Sequence, residues 1–422
     1  MIASLLLPLA LQALPVDTVR LDLATAMDAA RRSALPARIA RSEEIEGDAR
    51  VAEARSELLP HVGVAATHVV RSYSTSTFGL TIPTFPSVVD PFATEDARVY
   101  GTLTLWDLSA WKRYHAARLG ADQASGARAS GEEEAALGGA GAYLALLRAR
   151  SLAQARRSEV ELAEQLLTLT ASQRNAGVAT RLETLRAQTQ LSAARMDEAV
   201  ADGDAEAARL ALLQYLDLPL DAAVVTGDSL AVDSMVFSSG IDEAAARRPE
   251  VAAAAAGAQA MRAETDAARF GLVPTLELSG DYGLSGRRLN GGADWTEDLA
   301  LRLNWNLWDG GGRDARARER NEKTRQAELR LANLRTEATR EARAARVLLL
   351  AAREETNRAR ERVAFSEEEA RLAQEKFRAG SSGNLEVITA QQGVSAAHEA
   401  YVNSLYGYNL TRLKFLRAVH LL

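Results

Sequence analysis

The chain predicts a mainly α-helical fold with a small β part, in which long coiled helices are joined to four strands and the arrangement is duplicated. Three observations predict it. The stretch Asp298–Leu307 (DLALRLNWNL) alternates Leu299, Leu301, Leu303, Trp305 and Leu307 with Asp298, Arg302, Asn304 and Asn306, the period of two that marks a strand with one apolar face. Beyond Asp309-Gly310-Gly311-Gly312 no proline occurs from Arg313 to Arg378, and Ala, Leu, Glu and Arg dominate, so the strand feeds a very long helix. The same switch occurs earlier, where Val99–Trp106 (VYGTLTLW) alternates and opens another proline-free, alanine-rich segment.

Composition narrows the function classes. The 422 residues carry 50 basic and 56 acidic side chains, interspersed, for a net charge of −6, so no basic footprint points to nucleic acid. Cysteine is absent, which excludes disulfides and thiolate metal sites. A chain that is 47% hydrophobic yet only 5% aromatic favours close helix-to-helix packing over a bulky core.

In chain order, Ile2–Leu14 (IASLLLPLALQAL) has the length of a secretory h-region and is too short to span a bilayer as a helix. It reads as a signal peptide over residues 1–13, with Ala10 or Ala13 at the cleavage site; no Lys or Arg precedes it, so an apolar arm stays open as the alternative. A first repeat follows over 22–227. Its helix, Leu23–Leu59, is interrupted near Pro36 and ended by Pro60. A β-hairpin occupies about 61–106, with Ser72–Asp96 (Pro83, Pro86, Pro91) as an irregular loop. Long helices fill about 109–215, broken at Arg174–Thr180. The second repeat, 228–422, keeps the order: a helix Ile241–Leu272 with Pro249 near its start, a hairpin at about 275–308, and long helices over about 313–416 broken at Arg378–Asn384. In its first strand Leu276, Leu278, Tyr282 and Leu284 alternate with Thr275, Glu277, Ser279 and Asp281.

The duplication has a register. Pro36 and Pro60 match Pro249 and Pro274; Leu105-Trp106-Asp107 matches Leu307-Trp308-Asp309; Ala176-Gly177 matches Ala379-Gly380. From tryptophan to glycine is 71 residues in one copy and 72 in the other, a spacing that chance similarity between helices would not keep. In the last long helix Leu331, Leu334, Ala338, Ala342, Ala345, Leu349, Ala352, Thr356, Ala359, Val363, Ser366, Ala370, Ala373 and Phe377 recur every three or four residues, a coiled-coil seam. At about 1.5 Å per residue that helix reaches ~100 Å.

Each strand is long enough, when tilted, to cross an outer-membrane apolar band of ~25 Å. Leu276, Leu278, Leu299, Leu301, Leu303 and Trp305 then face lipid, while Glu277, Asp281, Asp298 and Arg302 suit a watery lumen. A half-buried sheet in a soluble protein uses the same alternation and stays open. Four strands cannot close a barrel and an open edge in lipid is forbidden, so a membrane barrel must be shared between chains.

The Leu-Pro helix ends (Leu59-Pro60), the strand exit Leu307-Trp308-Asp309-Gly310-Gly311, and the helix break Phe377-Arg378-Ala379-Gly380 with Leu385-Glu386-Val387-Ile388-Thr389-Ala390-Gln391 resemble the TolC-type outer-membrane efflux protein family across nearly the whole chain. The resemblance implies a homotrimer with a shared transmembrane β-barrel in outer-membrane lipid and a coiled-coil helical barrel through the periplasm. It implies an exit duct for a tripartite efflux pump or type I secretion system. The partners would be a periplasmic membrane-fusion adaptor and an inner-membrane transporter of RND, ABC or MFS type.

No constellation points to an enzyme and no cofactor is expected. Gly310-Gly311-Gly312 lacks the Lys-Ser/Thr of a phosphate-binding loop and reads as a turn. His61, His68, His115, His398 and His420 show no ligand spacing. Glu132-Glu133-Glu134 reads as a solvated helix face. Function concentrates at the breaks, where Gly177 with Leu182 and Gly380 with Leu385 are the expected adaptor-docking residues. Glu386 and Glu183, six residues after each glycine, are the expected gate carboxylates; the resemblance places Glu386 at the narrowed entrance, where Thr389 stands in place of a second acid. An exposed helix-start carboxylate is the alternative for both. A coiled-coil envelope scaffold without transport is the alternative to the duct.

Overall fold

A computed structural model describes residues 18–74, 88–232 and 240–422. The signal-peptide reading and the heart of the Ser72–Asp96 loop lie outside the described residues. In order, the elements are β1 (Thr18–Leu21), α1 (Leu23–Ser33), α2 (Leu35–Ser56), β2 (His61–Ser74), β3 (Val88–Trp106), α3 (Leu108–Asn175), α4 (Arg181–Tyr215), β4 (Ala223–Thr226), α5 (Ile241–Ala246), α6 (Pro249–Arg269), β5 (Thr275–Gly286), β6 (Ala293–Asn304), α7 (Gly312–Arg378) and α8 (Asn384–Ala418). They form two compact units, 1–42 with 126–251 and 333–422, and 43–125 with 252–332.

The first unit is helical. Its largest core cluster packs Ala26, Ala30, Ala34 and Ala37 of α1 and α2 against Tyr143, Leu146 and Leu147 of α3 and Leu212, Leu213 and Leu216 from the end of α4. Small residues set the spacing: a Cβ on Gly139 would come within 2.4 Å of the Ala30 Cβ, so α1 and α3 touch where side chains are smallest. The buried residues of α7 (Ala338, Ala342, Ala345, Leu349, Thr356, Ser366, Ala370, Ala373 and Phe377) all belong to the predicted seam. One pairing was not foreseen: β1 and β4 form a two-stranded parallel sheet that ties the start of one repeat to its end, Val19 opposite Val224. Glu132 and Glu133 are not a solvated face. Both are half-buried, Glu132 bonded to Arg41 at 3.0 Å and Glu133 to His420 at 2.8 Å.

The second unit carries a four-stranded antiparallel sheet in the order β2-β3-β5-β6. The first hairpin is longer than predicted. Residues 88–96 pair despite Pro91, because the ladder shifts between Arg71–Phe92 and Tyr73–Val89 and the proline falls inside that bulge, where no N–H is needed. The last strand both begins and ends earlier than predicted, running over Ala293–Asn304. It ends at Asn304, opposite Thr275, because Pro274 precedes Thr275 and cannot continue the ladder. Trp305 and Leu307 therefore lie outside the strand; the Trp305 indole donates to the Leu272 carbonyl at 3.1 Å, and Arg313 holds the Asn306 and Leu307 carbonyls at 2.6 and 3.0 Å. The repeated Trp-Asp has a local cause in the first copy: Asp107 caps α3, accepting from the Ala110 N–H at 3.0 Å.

Leu349 is 1% exposed in the middle of the seam. Leu349→Ala is expected to lower stability by about 2–5 kcal/mol, measured by denaturant unfolding in detergent.

Candidate functional site: helix reversals and sheet faces

The two reversals share one backbone design. After α3, Gly177 takes φ +79°, its N–H bonding the Arg174 carbonyl (3.0 Å) and the Val178 N–H bonding that of Gln173 (2.9 Å). After α7, Gly380 takes φ +70°, with Gly380 on Phe377 (3.1 Å) and Ser381 on Lys376 (3.0 Å). This is the glycine-terminated helix end that satisfies orphan carbonyls, and an L side chain at either glycine would be strained. Behind the tips, Leu166, Ala187, Ala370, Ala373, Phe377, Val387, Ile388 and Ala390 form one core cluster. In front, Val178, Leu182 and Leu385 stand exposed.

The helix starts that follow differ. Thr180 caps α4 in a reciprocal box: its hydroxyl accepts the Glu183 N–H (3.2 Å) while Glu183 Oε2 accepts the Thr180 N–H (2.6 Å). The equivalent cap of α8 is Gly383, which has no side chain to offer. Glu183 Oε1 lies 3.6 Å from where a Gly383 Cβ would be, and the fully buried Asn384 amide donates to the Glu183 carbonyl at 2.7 Å. Glu183 thus joins the two reversals. The Thr180 N–H, with smaller help from the Thr180 hydroxyl, Arg186 and the Asn384 N–H, holds its carboxyl below the ordinary glutamate range.

Glu386 has no such ties. It is exposed on the first turn of α8, and among the described residues no side-chain hydrogen bond or ion pair engages it. The Thr389 hydroxyl bonds back to the Leu385 carbonyl at 2.9 Å. The capping role of Glu183 was readable in the sequence as Thr180-x-x-Glu183; buried Asn384 was not, because an Asn after glycine reads as an exposed cap.

In the sheet, the register settles which side chains share a face. Leu276 lies opposite Leu303, Leu278 opposite Leu301 and Leu103, and Gly280 opposite Leu299, so these leucines form one apolar face. Leu299, Leu301 and Leu303 are each more than 60% exposed (78%, 62% and 64%), a continuous uncovered patch. Tyr282 and Trp295 extend it, stacked at 4.9 Å. The other face is polar: Glu277 opposes Arg302, Asp281 opposes Asp298, and Arg98 binds Asp281 at 2.7 Å and also Asp96. Among the described residues no three His, Asp or Glu side chains gather as metal ligands, and no helix is long and apolar enough to cross a membrane.

This combination of duplicated long helices and a sheet with one bare apolar face has known counterparts. The profile of the outer membrane efflux protein family matches residues 29–217 and 240–417, one segment in each repeat. The chain belongs to that family. Its place is the outer membrane. It is 29% identical over 177 residues to protein CyaE of Bordetella pertussis, a match covering 40% of this chain and 37% of CyaE, so the match spans little more than a third of that relative. A membrane protein from Pseudomonas aeruginosa has the same fold, with TM-score 0.82 at 20% identity over 94% of this chain and 93% of that one. So does the Campylobacter jejuni CmeC outer membrane channel, with TM-score 0.79 at 16% identity over 94% and 85%.

Because Glu183 has a lowered pKa in the folded chain, the stabilisation it gives is complete above the ordinary glutamate pKa of about 4.3 and is lost as pH falls through the folded value. Thr180→Ala should cost about 1 kcal/mol locally. Amide exchange at the start of α4 should speed up in that variant near neutral pH. In wild type the protection should fall away only on acidification below about pH 4.

Proposed function

We propose that three copies of this chain form a passive outer-membrane exit duct, their sheets closing one 12-stranded barrel and their helices lining a periplasmic tunnel. One observation carries this: a four-stranded sheet with a bare apolar face and two unpaired edges. In hydrocarbon every backbone N–H and C=O needs a partner, so such a sheet must close on other copies. Two copies would give eight strands and a lumen filled by side chains; three leave room for solvent. Family membership supports efflux, and a type I secretion system stays alongside tripartite pumps as the assembly the duct would serve. The chain itself performs no chemistry in this reading. An adaptor and an inner-membrane transporter supply energy and cargo choice.

The exposed Val178, Leu182 and Leu385 beside Gly177 and Gly380 offer an adaptor a small apolar surface held on rigid turns. Glu386 is the better gate candidate of the two acids, because its carboxylate is uncommitted while that of Glu183 is spent on capping. Three such carboxylates near one axis would focus a negative potential and favour cations over anions.

Leu301→Asp should reduce assembled protein in the outer membrane, costing on the order of 2 kcal/mol per chain, whereas Asn304→Asp on the polar face is tolerated. Equal loss in both would overturn the facing. Gly380→Pro removes the N–H on Phe377 and forbids the positive φ, so a barrel that still inserts should no longer export. In planar bilayers at low ionic strength Glu386→Gln should lower cation selectivity more than Glu183→Gln, with the difference shrinking as salt screens the ring. An unchanged reversal potential in Glu386→Gln would place the gate elsewhere.

A further inference from the structure

The two free edges of the sheet are chemically unlike. β2 carries His61, His68 and Arg71 and no acid; β6 carries Asp294, Glu297 and Asp298 with one Arg302. Several of these charges lack an opposite charge among the described residues of their own chain. Asp298 stands directly opposite Asp281, a like-charge pair, and the nearby Arg98 is taken by Asp281 and Asp96. Among the described residues Arg71 reaches neutral groups only, the Tyr73 hydroxyl at 2.8 Å and the Thr94 hydroxyl at 3.1 Å. Glu297 is the most exceptional. It lies opposite Tyr282 on the apolar face, between Trp295 and Leu299 along its strand, exposed and with no cation against it. A carboxylate there would meet lipid unless something at the edge covers it.

We infer that β6 of one copy pairs antiparallel with β2 of the next in a register that sets Asn304 opposite His61, and that opposed charges at this seam select it. This rests on the duct reading of the preceding section. From that one pairing the rest follows by counting. Glu297 falls opposite His68 and Asp294 opposite Arg71, so two of the β6 acids meet two of the β2 bases. On the apolar face Leu303 meets Val62, Leu301 meets Val64, Leu299 meets Ala66 and Trp295 meets Val70. All 12 residues of β6 are matched within the 14 of β2, and the match stops at Ser72, where the in-chain ladder of β2 shifts. A slip of one residue sends every leucine to the polar face. A slip of two sets Glu297 against Val70 or Ala66 and leaves His68 against Leu299 or Trp295. Only one register satisfies both faces and both charge pairs. His68 also lies 3.3 Å from Glu95 of its own chain, so at the seam it stands between two carboxylates.

The chain has no cysteine, so introduced pairs report cleanly. Full-length protein carrying His61→Cys with Asn304→Cys, oxidised in outer membranes, should form a covalent trimer on non-reducing gels. Gly63→Cys with Asn304→Cys should stay largely uncrosslinked, since cross-strand disulfides need Cα atoms within about 7 Å in the right orientation. Separately, Arg71→Glu should set two acids together and lower the yield of detergent-resistant trimer about fivefold, an effect corresponding to ~1 kcal/mol for one opposed pair. Adding Asp294→Arg to that variant should restore the yield. Crosslinking through Gly63→Cys in preference to His61→Cys, or a double charge variant no better than Arg71→Glu, would overturn the register while leaving a trimer. A wild-type protein that is monomeric in mild detergent would instead remove the duct reading itself.

Discussion

Hydrogen bonding of the backbone in hydrocarbon is the constraint on which the rest depends. A strand inside water can leave its outer N–H and C=O groups to solvent; one in lipid cannot, and each unmet group costs several kcal/mol. The sheet β2-β3-β5-β6 satisfies its three internal ladders and leaves two edges open. Its leucine face is equally unfinished, since none of the described residues covers Leu299, Leu301 or Leu303. In the proposed duct, sharing the sheet between copies would answer the edges, and lipid would answer the face.

The helical part solves a different problem with small residues. Its seams are built of alanine, with Ala338, Ala342 and Ala345 buried along α7 and Ala26, Ala30 and Ala34 in the α1–α2 core. Alanine loses no side-chain entropy on ordering and brings helix axes close, which suits a wall of long helices more than a thick globular core. Larger side chains punctuate the alanines, as with Tyr143 against the Leu21 carbonyl and Asp228, or Phe377 three residues before Gly380.

Long-range order was legible in the sequence wherever it rests on period and punctuation. The α7 seam, the prolines that end α2 and precede β5, and the glycine breaks at 177 and 380 needed only spacing to be found. What escaped were features set by partners distant in sequence. β1 and β4 are four residues each and pair across about 200 positions, too short to show a period. Pro91 argued against a strand until the bulge that accommodates it was known. Trp305 kept the alternation of β6 yet left the strand, because the end of the ladder is dictated by Pro274 on its neighbour. At the candidate site the positions were readable but the division of roles was not, since Glu183 and Glu386 are equivalent by spacing alone.

That division traces to one substitution between the repeats. Where the first reversal has Thr180, the second has Gly383, and a helix start without a side-chain cap leaves N–H groups in want of an acceptor. The first repeat supplies it: Glu183 closes the box with Thr180 and also lies beside the Gly383–Asn384 start, while Asn384 returns a hydrogen bond to the Glu183 carbonyl. One acid serves two helix ends, so the second acid is not required for capping and its charge is left for the solvent side. The two reversals are alike in backbone, and a threonine at one cap against a glycine at the other makes them unlike in chemistry.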